Sequence, residues 1–277
     1  MTSEVMVSPH RHGYASPMPV PAFGERLREW RQARRFSQAR LAEDAEVSTR
    51  HLSYLENGRA NPSREMVLVL ASALELPLRE RNDWLTTAGF APAYSQTPLS
   101  EKAMAPLREA VQRTLEHHDP HPAIAVDSSY DVQLVNQGMQ KLMMSFIAEP
   151  APEVVSNLMI ATFHPQGVRP FVVDWEPLAG LFIERLHREA RLPGGERRAE
   201  LLEQVLGYPG VPRSFVTPDP RRIVAPFVAL HLKRDDLELR FFSFLCSVGT
   251  PIDVTAEELS IELYHPMDDA TSRWLRA

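Results

Sequence analysis

The sequence has one cysteine and only three lysines among its 277 residues. A single thiol, Cys246, cannot form an intramolecular disulfide or a zinc centre built from several cysteines. It lies in the apolar run 241–248, which predicts a buried structural thiol. No apolar run approaches 18 residues, and the N-terminus has no signal-peptide core. We therefore expect a soluble, cytoplasmic protein without membrane contact, and the excess of arginine over lysine is typical of a GC-rich bacterial genome.

Catalytic motifs are also scarce. The sequence has no Gly-x-Ser-x-Gly elbow and no His-Glu-x-x-His motif, and the glycines at 194–195 lack the lysine of a phosphate-binding loop. Four residues near position 120 have side chains that suit zinc or nickel: His117, His118, Asp119 and His121. Pro120 and Pro122 break any helix that would align them, which favours a solvated junction. We therefore predict neither an enzyme nor a metal site.

Length and charge indicate two domains with different partners. The net charge is −6, but residues 22–92 hold 11 arginines and 10 acidic residues, whereas the residues after 92 hold 18 basic and 25 acidic ones. Residues 24–40 hold six arginines against two glutamates. This local positive charge favours a polyanionic partner such as DNA, whose phosphates would lie against these residues. A single domain of this charge would contact few phosphates and would bind weakly as a monomer. We therefore expect a homodimer on double-stranded DNA.

Residues 37–58, SQARLAEDAEVSTRHLSYLENG, predict two short helices joined by a tight turn. Ser37 and Ser48 are N-caps, and Gly58 suits a left-handed helix end. The second helix buries Leu52 and Leu55 and keeps hydrogen-bonding groups on its other face. Two helices in this arrangement can enter the major groove of DNA.

Residues 23–76 resemble the Cro/C1 (XRE-type) helix-turn-helix family. The resemblance rests on the basic first helix, Ser-Gln at the second, the apolar turn, Leu-Glu-Asn-Gly and the following Pro-Ser. It implies that eight residues contact DNA: Gln38, Ser48, Thr49, Arg50, Ser53, Tyr54, Arg59 and Asn61. Arg50 is the best candidate to read a base, since arginine pairs with guanine through two hydrogen bonds. Glu56 is expected to pair with an arginine of the first helix, and the alternative is a helical protein-docking module without DNA.

The organisation predicted from the whole chain is an arm at 1–21, a helix-turn-helix domain at 22–90, a linker at 91–98 and a second domain at 99–277. The second domain should open with a helix over 99–117, followed by strands at 123–126 and 131–135 and a helix that Asn136 caps and Phe146 ends. Short helices should lie between 157 and 206, before strands at 223–233 and 238–248 that a turn at 234–236 joins. This order is typical of an α+β, PAS-like domain, an antiparallel sheet with helices on one side.

The second domain also resembles the ligand-binding domain of MmyB-like transcription regulators. The resemblance covers roughly residues 99–248 and rests on AIAVDSSYDVQLVNQGMQKLM and NLMIATFHPQGVRPFVVDWEPLAGLFIERLHREA, whereas residues 249–277 depart from the family pattern. It implies a transcription factor whose sensor holds a small apolar molecule, such as a fatty acid, and no other cofactor.

Seven apolar residues are candidates to line a cavity between the sheet and its helices: Trp175, Phe182, Leu186, Phe227, Leu230, Phe242 and Phe244. Most of them should be core residues, by the usual preference of large apolar side chains. Arg169 or Arg213 could anchor a carboxylate at the mouth of the cavity, although surface arginines are the simpler interpretation. Two alternatives remain for this half, a ligand-free protein-interaction module and an enzyme tethered to DNA.

Overall fold

The computed structural model describes residues 23–147, 149, 151–192, 194–218 and 229–277. The predicted arm at 1–21, the candidate Phe227 and the first part of the strand predicted at 223–233 lie outside these described residues. The helices are α1 Phe23–Ala33, α2 Gln38–Asp44, α3 Thr49–Glu56, α4 Arg64–Ala73, α5 Leu78–Thr87, α6 Ala105–His118, α7 Gln137–Phe146, α8 Pro152–Val155, α9 Leu158–Phe163, α10 Trp175–Ala190, α11 Glu196–Gly207, α12 Val254–Glu258 and α13 Asp269–Arg276. The strands are β1 Ala123–Val126, β2 Val132–Val135, β3 Leu230–Arg234, β4 Leu237–Ser247 and β5 Ser260–Pro266.

Helices α1 to α5 form an N-terminal helical domain around one apolar core. Leu27 and Trp30 of α1 meet Leu52 of α3 and Leu70 of α4, and all four side chains are fully buried. Serine side chains cap three of the helices at their N-termini, each accepting a hydrogen bond from a backbone amide. Gly58 follows α3 with φ +66°, the left-handed conformation predicted for this helix end.

The C-terminal domain contains a five-stranded antiparallel sheet in the order β2-β1-β5-β4-β3. This confirms the predicted α+β class, and the hairpin turn of β3 and β4 at Asp235, φ 52°, confirms the turn predicted at 234–236. The central strand, β5, was not predicted. It lies in the last segment of the chain and pairs with both β1 and β4, a long-range arrangement that local alternation does not reveal.

The two faces of the sheet are covered differently. The inner face packs against α7, α9, α10 and α11 and forms the main core with Ile124, Phe241 and Tyr264. Across the outer face lies α6, whose Val111 and Leu115 contact β1 and β5. The domain therefore has its principal helices on one side and one additional helix on the other.

Three local predictions need correction. Cys246 is exposed and not buried, because it points to the outer face of the sheet, opposite the main core that contains Phe241, and lies in the part of β4, residues 243–247, that is exposed throughout. The helix predicted from residue 99 begins as a 3₁₀ turn at Lys102–Met104 and becomes α-helical at Ala105, where Pro106 suits the first turn. Helix α10 has 16 residues and is longer than the short helices expected in this region.

Helix α5 of the N-terminal domain rests against α12 of the C-terminal domain. The backbone amide of Leu78 donates to Oε2 of Glu257 at 2.6 Å, and the Arg79 guanidinium donates to both carboxylate oxygens of Glu258 at 2.6 and 2.8 Å. Because Glu257 accepts from the first turn of α5, it also satisfies an amide that has no partner within that helix. We call this set of contacts the domain junction.

Glu80 lies next to the junction and is only 5% exposed. Its Oε2 accepts a hydrogen bond from the Trp30 indole at 3.3 Å, and a Cβ at position 194 would overlap its Oε1, so only glycine fits there. Burial, and secondarily the nearby Asp83 carboxylate, raise the pKa of Glu80 to about 7. Glu80 therefore changes charge near neutral pH.

The pKa of Glu80 predicts a specific pH dependence of folding. Since its folded-state pKa lies above the ordinary value of 4.5, its stabilising contribution is present at low pH and is lost as pH rises through about 7. Between about pH 5 and about pH 8, the free energy of unfolding of the natural protein should fall by about 2 kcal/mol relative to Glu80→Gln. Urea denaturation measures this difference, with the exposed Glu203→Gln as the matched control, and parallel pH profiles for the natural protein and Glu80→Gln would contradict it.

Candidate functional site

The turn between α2 and α3 has the compact geometry predicted for a helix-turn-helix. Glu46 adopts φ 54°, which reverses the chain, and the amide of Val47 donates to the carbonyl of Ala42 at 2.8 Å. Ser48 then caps α3 by accepting from the amide of His51 at 3.1 Å. Leu52 and Leu55 hold one side of α3 in the core, so its opposite side faces solvent.

The residues predicted to contact DNA occupy one region of the surface. Ser48, Thr49, Arg50, Arg59 and Asn61 are exposed. Ser53, Tyr54 and Gln38 are partly buried. The Arg50 Nε donates to the Tyr54 hydroxyl at 3.0 Å, which holds the guanidinium on the outer side of α3. Exposed donors on this side of a recognition helix can reach base edges.

Glu56 holds the DNA-reading helices together. Its side chain accepts from Arg31 at 2.5 and 3.0 Å and from Gln38 at 2.8 Å, which links α1, α2 and α3. Burial alone would raise the pKa of Glu56, but the hydrogen bonds from Arg31 and Gln38 and the charges of Arg31 and Arg28 lower it below the ordinary value. The predicted pairing of Glu56 with an arginine of the first helix is confirmed.

Several arginines near α1 have structural partners that the charge count could not reveal. Arg31 is bound to Glu56, and Arg34 donates to the carbonyls of Leu74 and Glu75 at 3.0 and 2.9 Å. Part of the arginine excess in residues 24–40 therefore stabilises the N-terminal domain itself. Arg50 and Arg59 lie on the exposed side of the helix-turn-helix.

A cavity of about 170 Å³ lies between the inner face of the sheet and the helices of the C-terminal domain. Its apolar wall includes residues of α7, α10 and β3: Met139, Met143, Leu178, Phe182, Leu230 and Leu232. Its polar groups come from α10, β4 and β5: Arg185, Ser243, Glu262 and Tyr264. A mostly apolar enclosure with a few polar groups can bind a small molecule.

Two of the predicted cavity residues line this space, namely Phe182 and Leu230. Trp175 instead packs edge-to-face on Phe163 at 5.1 Å, and Leu186 is fully buried in the core. Phe242 and Phe244 lie on the outer face of the sheet against His265, because they alternate with Ser243 and Leu245, which face the cavity.

Two groups of lining residues were missed by reasoning from the sequence. Met139, Leu142 and Met143 lie on α7, where their spacing could have indicated one face of a helix. Glu262 and Tyr264 lie on β5, the strand that was not predicted. Only the pairing of β5 in the middle of the sheet places these two side chains against the helices.

A larger cleft of about 710 Å³ separates the two domains beside the junction. The N-terminal domain contributes Arg79 and Glu80, and the C-terminal domain contributes Tyr130 and Glu189. Five residues line both the cleft and the smaller cavity: Leu158, Phe182, Arg185, Leu245 and Glu262. The cavity and the cleft that borders the N-terminal domain thus share one wall.

The remaining candidate residues do not gather at the cavity. The rings of His118 and His265 are 4.8 Å apart and those of His118 and His121 are 5.3 Å apart, on the outer side of the sheet. Burial lowers the pKa of His118 and of His265. In the described ranges, no three His, Cys, Asp or Glu side chains are arranged to hold a metal ion. Arg169 donates to the carbonyl of Pro209.

Arg213 begins the 3₁₀ helix Arg213–Val216 and is not among the residues that line the cavity in the described part of the chain. Over the same residues, the structure shows no helix with the length and apolar character needed to cross a bilayer.

A helix-turn-helix with an exposed reading side, joined to a sheet domain with a mostly apolar cavity, is the architecture of a DNA-binding transcription regulator with a ligand-binding domain. Residues 107–277 match the family described as MmyB-like transcription regulator ligand binding domain, and residues 22–84 match a helix-turn-helix domain family. The chain belongs to the MmyB-like family. Because the match continues to residue 277, the departure inferred for residues 249–277 was wrong.

Part of this chain is similar to solved structures, of which one is a restriction-modification controller protein. The crystal structure of the restriction-modification controller protein C.AhdI from Aeromonas hydrophila is 39% identical over 21% of this chain and 89% of that chain, with a TM-score of 0.21. No curated protein is significantly similar to the chain.

Proposed function

We propose that this regulator acts in the bacterial cytoplasm as a homodimer whose two α3 helices read an operator, and that a small, predominantly apolar effector binds its C-terminal cavity. The observation that carries the proposal is the cavity itself, which is lined mostly by apolar side chains, among them residues of α7, α10 and β3. A fatty acid, the molecule that the family resemblance implies, has an apolar chain of this kind.

The size of the cavity limits the effector. An apolar cavity of about 150 Å³ accommodates a molecule such as benzene. The volume here, about 170 Å³, therefore suits an apolar body of roughly six carbons. Met139 and Met143 in its wall have flexible side chains that can adapt to the shape of a ligand.

The domain junction provides a route from the effector to DNA. Phe182 and Glu262 line both the cavity and the cleft, and Glu257 and Glu258 of α12 bind the first turn of α5. An effector that favours one arrangement of this junction would shift the positions of the two reading helices. Such coupling changes operator affinity by an amount typically of ~1–3 kcal/mol.

Dimerisation follows from the requirements of DNA binding. One recognition helix reads a short half-site, and a dimer reads two half-sites about one helical turn apart. The exposed side of α3 offers Thr49 and Arg50 to the bases, and the adjacent Arg59 and Asn61 to the phosphates.

Replacement of Arg50 tests the DNA-binding role. Arg50→Ala should weaken binding of the full chain to DNA from upstream of its own gene by about 30-fold or more, since the dimer loses two bidentate arginine–guanine contacts of ~1–3 kcal/mol each. Fluorescence anisotropy at low salt measures the Kd. Arg113→Ala, an exposed arginine on α6, is the matched control and should leave the Kd unchanged. Equal affinity of Arg50→Ala and the natural protein would contradict the assignment.

Filling the cavity tests the effector site. Hexanol, a neutral probe, should raise the Tm of the natural protein by a few degrees, because a ligand that binds only the folded state stabilises it. Met143→Trp occupies the cavity and should abolish this rise. Met144→Trp, at the neighbouring exposed position, should retain it. A Tm that hexanol leaves unchanged in all three proteins would favour a ligand-free interaction module.

A further inference from the structure

Glu262 is an unusual residue for the wall of an apolar cavity. It lies on the central strand β5 and faces the helices, and it borders both the cavity and the cleft between the domains. Its Oε1 accepts a hydrogen bond from the Ser243 hydroxyl at 2.6 Å. Burial raises the pKa of Glu262, although Ser243, Tyr264 and the charge of Arg185 act in the opposite direction.

Among the described residues, no cationic group lies within ion-pair distance of Glu262. Arg185 is the charged neighbour in the same wall, but its Nε donates to Oε1 of Glu189 at 2.9 Å. Its guanidinium also lies 5.2 Å from the centre of the Tyr130 ring, and the Tyr130 hydroxyl donates to Glu189 at 2.8 Å. The positive charge of Arg185 is therefore already balanced by Glu189.

A carboxylate in this position is costly unless a cation approaches it. Glu262 is half-buried, and its carboxyl group has hydroxyl partners in Ser243 and Tyr264 but no ion-pair partner among the described residues, so its ionisation carries a cost that a ligand ammonium group would reduce. A ligand carboxylate would instead lie beside Glu262, where two like charges repel. The Nε of Arg185 already donates to Glu189, so a ligand carboxylate would compete with Glu189 for the charge of this arginine.

We propose that the effector of this chain is a small amphiphile with a protonated amine, whose apolar body of about six carbons fills the cavity and whose ammonium group binds Glu262 and the Ser243 hydroxyl. The inference rests on the proposed effector site and specifies the chemistry of its polar end. The head group would lie at the wall shared with the cleft, next to the N-terminal domain.

Three probes with the same six-carbon chain test the head-group preference: hexylamine, hexanol and hexanoate. Isothermal titration of the full-length protein should give a Kd for hexylamine that is at least about tenfold lower than for hexanol, because hydrogen bonds to charged groups are stronger than neutral ones. Hexanoate should bind more weakly than hexanol. Tightest binding by hexanoate, or equal binding by hexylamine and hexanol, would overturn the inference.

Replacement of Glu262 assigns the preference to this carboxyl group. Glu262→Gln should reduce the advantage of hexylamine to about twofold or less while hexanol binds as before, which shows that the cavity is intact. Glu203→Gln, on the exposed side of α11, should keep the full preference. An unchanged preference in Glu262→Gln would contradict the role of Glu262.

Three further results have a defined meaning. If Glu262→Gln does not fold, the three probes on the natural protein still decide the head-group chemistry. If none of the probes binds the natural protein, the proposed effector site fails together with the inference. If hexanol or hexanoate binds and hexylamine has no advantage, only the inference fails.

Discussion

The hydrogen bonds between α5 and α12 join the two domains of this protein. Arg79 binds Glu258 through two hydrogen bonds, and Glu257 accepts from the first turn of α5. The N-terminal and C-terminal domains therefore share a hydrogen-bonded surface. Helix α5 also packs on α4 and α1 of the N-terminal domain. A change in the C-terminal domain can therefore reach the DNA-reading helices through bonded groups and packed helices, without passing through the linker.

The sheet order places the polar groups of the cavity near this junction. Because β5 is central, Glu262 and Tyr264 face the helices in the middle of the domain, and α12 immediately precedes the same strand. The strand that contributes Glu262 and Tyr264 to the cavity and the helix that forms the C-terminal side of the junction thus belong to one continuous piece of chain, residues 253–266. A ligand that contacts Glu262 contacts the strand whose N-terminal neighbour, Glu258, binds Arg79.

Local sequence patterns predicted what depends on neighbouring residues. The caps at Ser37 and Ser48, the left-handed Gly58, the helix that Asn136 begins and the β3–β4 turn all follow from nearby side chains. Long-range pairing was not predictable in this way. The central place of β5, the exposure of Cys246 and the outward direction of Phe242 and Phe244 depend on which strands are neighbours. The partners of Arg31 and Arg34 likewise became visible only when the helices were packed.

The central claim is that occupation of the cavity changes DNA affinity through the junction. The most direct test measures the Kd of the full chain for upstream DNA with and without saturating hexylamine, in the natural protein and in Arg79→Ala. We expect hexylamine to change this Kd by about 5- to 150-fold in the natural protein, which is the range of a typical coupling energy, and by much less in Arg79→Ala. The same Kd with and without bound hexylamine in the natural protein would contradict it.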